Sequence, residues 1–213
     1  TTIHIITHRN TMSTINWNYY RRYTIFKINN AVVDYDPYWH VKLDDTLHPE
    51  LFSLCKEEWP DYSSVPYTTN HKGFNQNRKF TSPNKEYLPF YSDFYKNIID
   101  HPDIKNAVYN LEGLDIKNFS HTSSSLWEDY KGYGVNNHVD GYKMDIAWQL
   151  YVYCDGGEKW GTSLNDEHGN EQKRFPFTPN LSWIMRNDAF SWHSCDEIEC
   201  DLRQSIMTRF MQE

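Results

Sequence analysis

A histidine and an aspartate lie two residues apart at the end of the stretch YKGYGVNNHVD, which runs from Tyr130 to Asp140. Side chains alternate between the two faces of a β-strand, so His138 and Asp140 would point to the same side. An imidazole and a carboxylate on one face supply two of the three ligands in the triad that holds non-haem Fe(II). The sequence therefore predicts a metal site that needs one further ligand.

The pattern His-x-acid occurs three times, and the context separates the three copies. The copies at His48–Glu50 and His101–Asp103 stand where helices are predicted to begin, and proline and an acidic residue are favoured there for capping and dipole reasons. A helix start does not place residues i and i+2 on one face. Only His138–Asp140 lies in strand context, so we assign the two ligands to that copy.

The third ligand must come from a distant strand. His193, in AFSWHSC, is the best candidate, whereas His168 lies in the polar turn DEHGN. Ten residues after His193 comes Arg203, and strand alternation places Ser205 and Arg209 on the same face as Arg203. An arginine on the metal side is costly to bury without an anion, and its planar fork binds a carboxylate through two hydrogen bonds. For Arg209, which could also meet a substrate anion, a structural partner is the favoured expectation.

The order HxD, His193 and then Arg203-Gln204-Ser205 resembles the HxD…H…RxS pattern of the 2-oxoglutarate- and Fe(II)-dependent dioxygenases. The resemblance covers roughly Leu126 to Phe210. The stretch before His138 is similar to the Tyr-Gly segment of prolyl-hydroxylase-like members, and PYWHVKLDDTLHPELFSLCKEEWP resembles their N-terminal strand and first helix. This resemblance implies a double-stranded β-helix (jelly-roll) core.

The same resemblance implies cofactors and residue roles. The Fe(II) ligands would be His138, Asp140 and His193. Arg203 would pair with the distal carboxylate of the co-substrate 2-oxoglutarate, supported by Ser205, and Tyr153 and Tyr130 are the candidate tyrosines beside it. With O2 as the second co-substrate, such an enzyme hydroxylates an unactivated C–H bond and releases succinate and CO2. A peptidyl, prolyl-type substrate is favoured by the resemblance, with a small molecule or a nucleobase as alternatives.

Two other interpretations remain at this stage. The residues His193, Cys195 and Cys200, with Cys154 as fourth ligand, would form a zinc site, but they lack the paired Cys-x-x-Cys spacing of structural zinc sites. A jelly-roll binding module that has kept the fold without turnover would not need the triad and Arg203 together.

The elements that must position these residues follow from periodicity and turn signals. Residues 46–59 predict a helix that Thr46 or His48 would cap, with Pro49 in its first turn, and two further helical regions are predicted over 87–99 and 101–111. Residues 1–30 have no firm period, and residues 31–44 include a short strand. Residues 61–85 predict a long binding loop that contains Asn75, Asn77 and Arg78.

From residue 116 onward, the pattern changes to short strands separated by turn residues. The predicted strands are Ser123–Tyr130, Ala147–Cys154, Leu181–Met185, Phe190–Ser194 and Leu202–Met211. We therefore predict a mainly β (α+β) protein with one dioxygenase domain over residues 1–213. In it, residues 1–115 are mostly helical and loop support, and residues 116–213 form the jelly-roll core.

The composition is that of a globular chain of 213 residues with 16% aromatic residues. No apolar run is long enough to cross a membrane, and the N-terminal stretch lacks a signal-peptide pattern. Four cysteines do not make a disulfide framework in a chain of this length, so we expect reduced thiols and a cytoplasmic location. A net charge of −8 argues against nucleic acid as the main partner. A peptide, protein or small-molecule substrate is expected, and the oligomeric state is left open.

Overall fold

The computed structural model describes residues 15–69, 77–114, 121–141 and 145–211. The helices in these ranges are α1 (Trp17–Asn29), α2 (Pro49–Glu57), α3 (Pro89–Phe94) and α4 (Pro102–Tyr109), and a π-helical turn, Tyr95–Ile99, follows α3 directly. The strands are β1 (Val33–Asp34), β2 (His40–Leu43), β3 (Thr68–Thr69), β4 (Arg78–Thr81), β5 (His121–Tyr130), β6 (Val135–His138), β7 (Ile146–Cys154), β8 (Ser163–Asn165), β9 (Glu171–Arg174), β10 (Ser182–Arg186), β11 (His193–Cys195) and β12 (Leu202–Met211).

The strands form two antiparallel sheets. The major sheet has eight strands in the order β1-β2-β10-β7-β12-β5-β4-β3, and the minor sheet has four in the order β6-β11-β8-β9. The minor sheet carries both predicted metal-binding histidines, whereas β12 of the major sheet carries Arg203 and Arg209. The prediction of a mainly β protein is confirmed.

The two faces of the major sheet have different neighbours. On β12, Ile206 and Phe210 belong to the apolar core that includes the helices, and Met207 belongs to a second core that lies between the sheets. This alternation is what a strand buried on both faces requires, since its apolar side chains gain by leaving water on either side. The polar members of the inner face, Arg203 and Arg209, line a cavity between the sheets.

The predicted helix over residues 46–59 is confirmed as α2. Pro49 is its first residue, and the side chain of His48 caps it by accepting a hydrogen bond from the backbone N–H of Glu50 at 3.3 Å. The predicted helical regions over 87–99 and 101–111 contain α3 with its π-helical turn, and α4. Helix α1 was not predicted because only Thr24 and Ile28 on it are buried, which gives no apolar stripe in the sequence.

The segment expected to be one long loop, residues 61–85, contains strands β3 and β4. Strand β4 pairs with β5, with Arg78 opposite Asp129, so Arg78 lies in the major sheet and not in a loop. The sequence of β4, RKFT, is too short and too polar to be recognised as a strand. Asn77 donates a hydrogen bond to the backbone oxygen of Lys131 at 2.8 Å, and Asn75 lies outside the described residues.

The first half of the chain therefore supplies strands β1 to β4 as well as the supporting helices. The predicted strand Phe190–Ser194 is observed as β11 and starts three residues later, at His193. Among the residues described, none of the helices has the length and apolar character needed to cross a lipid bilayer.

Candidate active site

Two neighbouring strands of the minor sheet bring the predicted metal ligands together. Strand β6 ends at His138 and β11 begins at His193, and the antiparallel register places these residues opposite each other with ring centroids 4.2 Å apart. Asp140 follows two residues after the end of β6. Its two carboxylate oxygens lie 3.6 Å from Nε2 of His138 and 3.7 Å from Nε2 of His193.

Hydrogen bonds to the backbone fix both imidazole rings. Nδ1 of His138 lies 2.9 Å from the carbonyl oxygen of Asn136, and Nδ1 of His193 lies 2.9 Å from that of Ser191. A carbonyl oxygen only accepts, so each neutral ring carries its proton on Nδ1 and turns the Nε2 lone pair toward Asp140. A histidine that binds a metal through one ring nitrogen usually donates such a hydrogen bond from the other.

The donor set fits a divalent metal. One ligand atom from each of the three residues lies within 4.8 Å of the other two. Metal–ligand bonds of about 2.0–2.2 Å would separate neighbouring ligand atoms by about 3 Å, so small side-chain shifts suffice for binding. Two histidines and one carboxylate form the facial triad of non-haem iron sites.

The electrostatics favour the protonation states that a metal needs at two members of the triad, Asp140 and His193. The carboxylate of Asp140 raises the pKa of His138, so a metal must displace the proton that this favours, whereas burial lowers the pKa of His193. Burial opposes ionisation of Asp140, but the neighbouring imidazole of His138 and the positive charge of other nearby groups outweigh burial and lower its pKa. An ionised carboxylate beside a neutral, buried imidazole is ready to bind a cation.

A cavity of about 530 Å³ opens between the two sheets in front of these ligands. Its volume lies within the range of small-molecule sites. The major sheet contributes three arginines to its wall, Arg78, Arg203 and Arg209, together with the indole of Trp127. A cationic wall in a chain of net charge −8 marks this cavity as a place for anions.

A buried ion cluster holds two of the three arginines. Asp129 is fully buried on β5 and accepts hydrogen bonds from Arg203 through Nε at 3.0 Å and Nη2 at 2.7 Å, and from Arg78 through Nε and Nη2. Burial opposes ionisation of Asp129, but the charges and hydrogen bonds of Arg78 and Arg203 outweigh burial and lower its pKa. Arg78 also lies over the rings of Trp127 and Tyr133, at 3.5 and 4.1 Å.

Ser205 lies behind the cavity wall. It is fully buried and accepts a hydrogen bond from Nε2 of Gln149 at 2.9 Å. Oε1 of Gln149 accepts from the hydroxyl of Thr162 at 3.3 Å, and both Gln149 and Thr162 line the cavity. Ser205 therefore orients Gln149 and does not itself reach the cavity.

The two predicted tyrosines are not among the residues that line the cavity. The side chain of Tyr153 is 39% exposed at the end of β7. Tyr130 is half-buried and donates a hydrogen bond to the carboxylate of Glu128. Tyr133, three residues after Tyr130, is buried and does line the cavity. The sequence signal for Tyr133 was its position between Gly132 and Gly134, at the turn from β5 into β6.

The structure does not bring the predicted zinc ligands together. Sγ of Cys154 lies 3.6 Å from Sγ of Cys200, and with Asp155 they form a separate group. His193 belongs instead to the group with Asp140, and Sγ of Cys195 accepts a hydrogen bond from Arg203 at 2.9 Å. His168 has a largely exposed side chain in its turn.

No family model matches the sequence, and a search of curated proteins also finds no match. Solved structures show similarity of fold. A prolyl-4-hydroxylase from Pseudomonas putida matches with a TM-score of 0.61 and 13% identity, covering 82% of this chain and 92% of that chain. A prolyl hydroxylase from Trichoplax adhaerens, in complex with a peptide fragment of the hypoxia inducible factor oxygen degradation domain, matches with a TM-score of 0.63 and 11% identity, covering 97% and 94%.

A 2OG-Fe(II) oxygenase family protein from Burkholderia pseudomallei matches with a TM-score of 0.58 and 10% identity, over 82% of this chain and 84% of that chain. At identities this low, the structural similarity establishes the fold and nothing further. The chain has the jelly-roll fold of prolyl hydroxylases and other 2-oxoglutarate/Fe(II) oxygenases, and the predicted double-stranded β-helix is confirmed.

Proposed function

We propose that the protein is an Fe(II)- and 2-oxoglutarate-dependent dioxygenase that hydroxylates an unactivated C–H bond, with residues 1–213 acting as one domain. The observation that carries this proposal is the triad of His138, Asp140 and His193, with both Nε2 atoms turned inward, at a cavity whose opposite wall is cationic. The fold shared with 2-oxoglutarate/Fe(II) oxygenases supports the proposal.

In this proposal, His138, Asp140 and His193 hold the metal and leave its remaining positions open to the co-substrates. Fe(II) bound there would supply the chemistry that combines O2 with 2-oxoglutarate, giving succinate, CO2 and a hydroxylated product. The work of the protein is to orient the reactants and to exclude water. The apolar side chains of Trp183 and Met207 on the cavity wall serve the second purpose.

Arg203 is the proposed anchor for the distal carboxylate of 2-oxoglutarate. His193 and Cys195 are both buried members of β11, and Nη1 of Arg203 lies 2.9 Å from Sγ of Cys195. Two residues of a strand span about 7 Å, so the proposed metal ligand His193 and the Arg203 contact at Cys195 are separated by about the length of an extended five-carbon chain such as 2-oxoglutarate. Because Arg78 and Arg203 share the single carboxylate of Asp129, this cluster keeps one excess positive charge for an anion.

Gln149 and Thr162 supply the polar part of the wall near this anchor, and Ser205 supports them from behind. We assign no co-substrate contact to Tyr130 or Tyr153 because neither lines the cavity, and Tyr133 takes their place in the proposal.

A peptidyl substrate of prolyl type or a small molecule is proposed as the hydroxylated compound. The Trichoplax adhaerens prolyl hydroxylase with its bound peptide fragment supports the peptidyl form. We further propose a cytoplasmic location, which the four free cysteines support.

The test is anaerobic addition of Fe(II) and 2-oxoglutarate to the purified protein. Chelation of Fe(II) by 2-oxoglutarate in the site is expected to give a weak metal-to-ligand charge-transfer band in the visible. His138→Ala should abolish the band, while the matched control His168→Ala, at a largely exposed side chain, should keep it. If the wild-type protein gives neither the band nor any succinate in air, the proposal is wrong.

A further inference from the structure

The guanidinium of Arg209, unlike those of Arg78 and Arg203, is not hydrogen-bonded to Asp129. Arg209 lies on the inner face of β12 and is in register with Ser123 on β5 and Ala147 on β7, two small residues that leave room around it. It lines the same cavity as the metal ligands and is partly buried. Its place in the sheet is therefore fixed, and its charged end faces the cavity.

Arg209 has no hydrogen bond and no ion pair within the described ranges of the chain, which omit residues 1–14, 70–76, 115–120, 142–144 and 212–213. Its contact is with the indole of Trp127, whose ring centroid lies 5.4 Å from the guanidinium carbon. Burial lowers the pKa of Arg209, and the negative charge of Asp140, a proposed metal ligand, only partly offsets this effect. Arg203 differs, since Cys195 and Asp129 outweigh burial and raise its pKa.

The charges of the site do not balance without a further anion. Three arginines, Arg78, Arg203 and Arg209, face two carboxylates, Asp129 and Asp140, which leaves one positive charge in excess. A divalent metal and dianionic 2-oxoglutarate cancel each other, so the excess remains in the loaded site. The cost of keeping an unpaired guanidinium in a partly buried place is recovered when an anion binds to it.

We propose that Arg209 binds a carboxylate of the primary substrate, so that the enzyme hydroxylates a carboxylic acid. The inference rests on the proposed function and refines it. A neutral prolyl ring inside a peptide needs no guanidinium beside the metal, whereas a carboxylate accepts two parallel hydrogen bonds from one. The carboxylate belongs to a free small acid, such as an amino acid, or to the free C-terminus or acidic side chain of a short peptide.

The experiment compares acids with their matched amides in the complete reaction with Fe(II), 2-oxoglutarate and O2. The panel contains free L-amino acids, C3–C6 carboxylic acids, and short proline-containing peptides with a free or amidated C-terminus. Conversion is read as the gain of one oxygen by mass spectrometry, together with succinate. The wild-type protein should convert at least one acid about 10- to 100-fold better than its amide, as expected for a hydrogen bond to a charged group. Free amino acids and C-terminally free peptides separate the two sources of the carboxylate.

Variants test whether Arg209 causes the preference for acids over amides. Arg209→Gln should remove the difference between acid and amide, and Arg209→Lys should retain part of it. The matched control Arg22→Gln, on the exposed side of α1, should keep the wild-type ratio. A rise in the KM for 2-oxoglutarate in Arg209→Gln, with the acid preference intact, would show that Arg209 anchors the co-substrate, and would overturn the inference.

Conversion of neutral compounds alone, or of no acid in the panel, also overturns it. These outcomes are separate from failure of the proposed function, which is seen earlier, as absence of both the charge-transfer band and succinate in the wild-type protein.

Discussion

Replacing Asp129 with asparagine would leave two buried guanidinium groups without a counter-charge. Asp129 is 0% exposed, and its two oxygens accept four hydrogen bonds, two from Arg78 and two from Arg203. An asparagine keeps the shape of the side chain, but its NH2 group cannot accept from either arginine. The substitution therefore removes the negative charge and places the two N–H bonds of the asparagine NH2 group against the N–H groups of the arginines, without leaving a void.

The expected loss follows from the burial of the cluster. Removing one partner of a buried, hydrogen-bonded ion pair costs about 3–5 kcal/mol, because the remaining charge stays desolvated and unpaired. No discount for solvent screening applies to Asp129, since water does not reach it. For a chain of this size, each 1 kcal/mol lowers the melting temperature by about 2–4 °C, so Asp129→Asn should melt about 6–20 °C below the wild type.

The pH dependence gives an independent check of the cause. The folded-state pKa of Asp129 is lowered, so its stabilisation is present above the unfolded-state pKa of about 3.9 and is lost as the pH falls through the folded value. The difference in unfolding free energy between the wild type and Asp129→Asn should be full at pH 7 and should shrink below about pH 4.

Urea unfolding at several pH values, followed by tryptophan fluorescence, measures both effects. Asp44→Asn is the matched control, because Asp44 forms an exposed ion pair with Lys42 and such pairs contribute about 0–1 kcal/mol. A loss below about 1 kcal/mol at pH 7 in Asp129→Asn, or a difference that does not shrink in acid, would refute the reasoning from burial.

Three further outcomes are expected. Arg209→Met should leave the melting temperature unchanged or raise it, because it removes an unpaired guanidinium; a clear fall in a thermal melt would show that Arg209 has a structural partner. Gly161→Ala should cost about 3 kcal/mol in urea unfolding, because its Cβ would overlap a backbone carbonyl, whereas Gly141→Ala, whose Cβ would meet no atom of the described residues within 4 Å, should be nearly neutral; equal effects would contradict this. Burial raises the pKa of the Cys200 thiol to about 12, so iodoacetamide should alkylate it at pH 8 at least about 100-fold more slowly in the native protein than in urea, and similar rates would show that the thiol is accessible.

Local sequence patterns predicted the elements that carry the site. Alternation along β12 placed Arg203 and Arg209 on one face and Ile206 and Phe210 on the other, as observed. Strand context separated His138–Asp140 from the other two His-x-acid copies, which the structure places at the starts of α2 and α4. Such features depend on neighbours in sequence, so one chain is enough to read them.

Features that depend on pairing between distant segments were not predicted. Arg78 and Asp129 are 51 residues apart and meet only because β4 pairs with β5. Tyr133 reaches the cavity, and Tyr130 does not, because the chain turns at Gly132 with a positive φ of 86° between them. No periodicity in the sequence reports such a turn or such a register.

The three arginines of the cavity differ in whether the protein itself supplies a carboxylate partner. Asp129 accepts two hydrogen bonds from Arg78 and two from Arg203, so the proposed co-substrate anchor is rigid before any ligand arrives. Arg209 has no such partner in the described chain. The register places Ser123 and Ala147 opposite it, so an acidic residue in place of either one could have paired with it. A chain of net charge −8 has acidic residues in surplus. An arginine left unpaired beside the proposed metal site in such a chain costs stability, and that cost is explained if its partner is the carboxylate of the substrate.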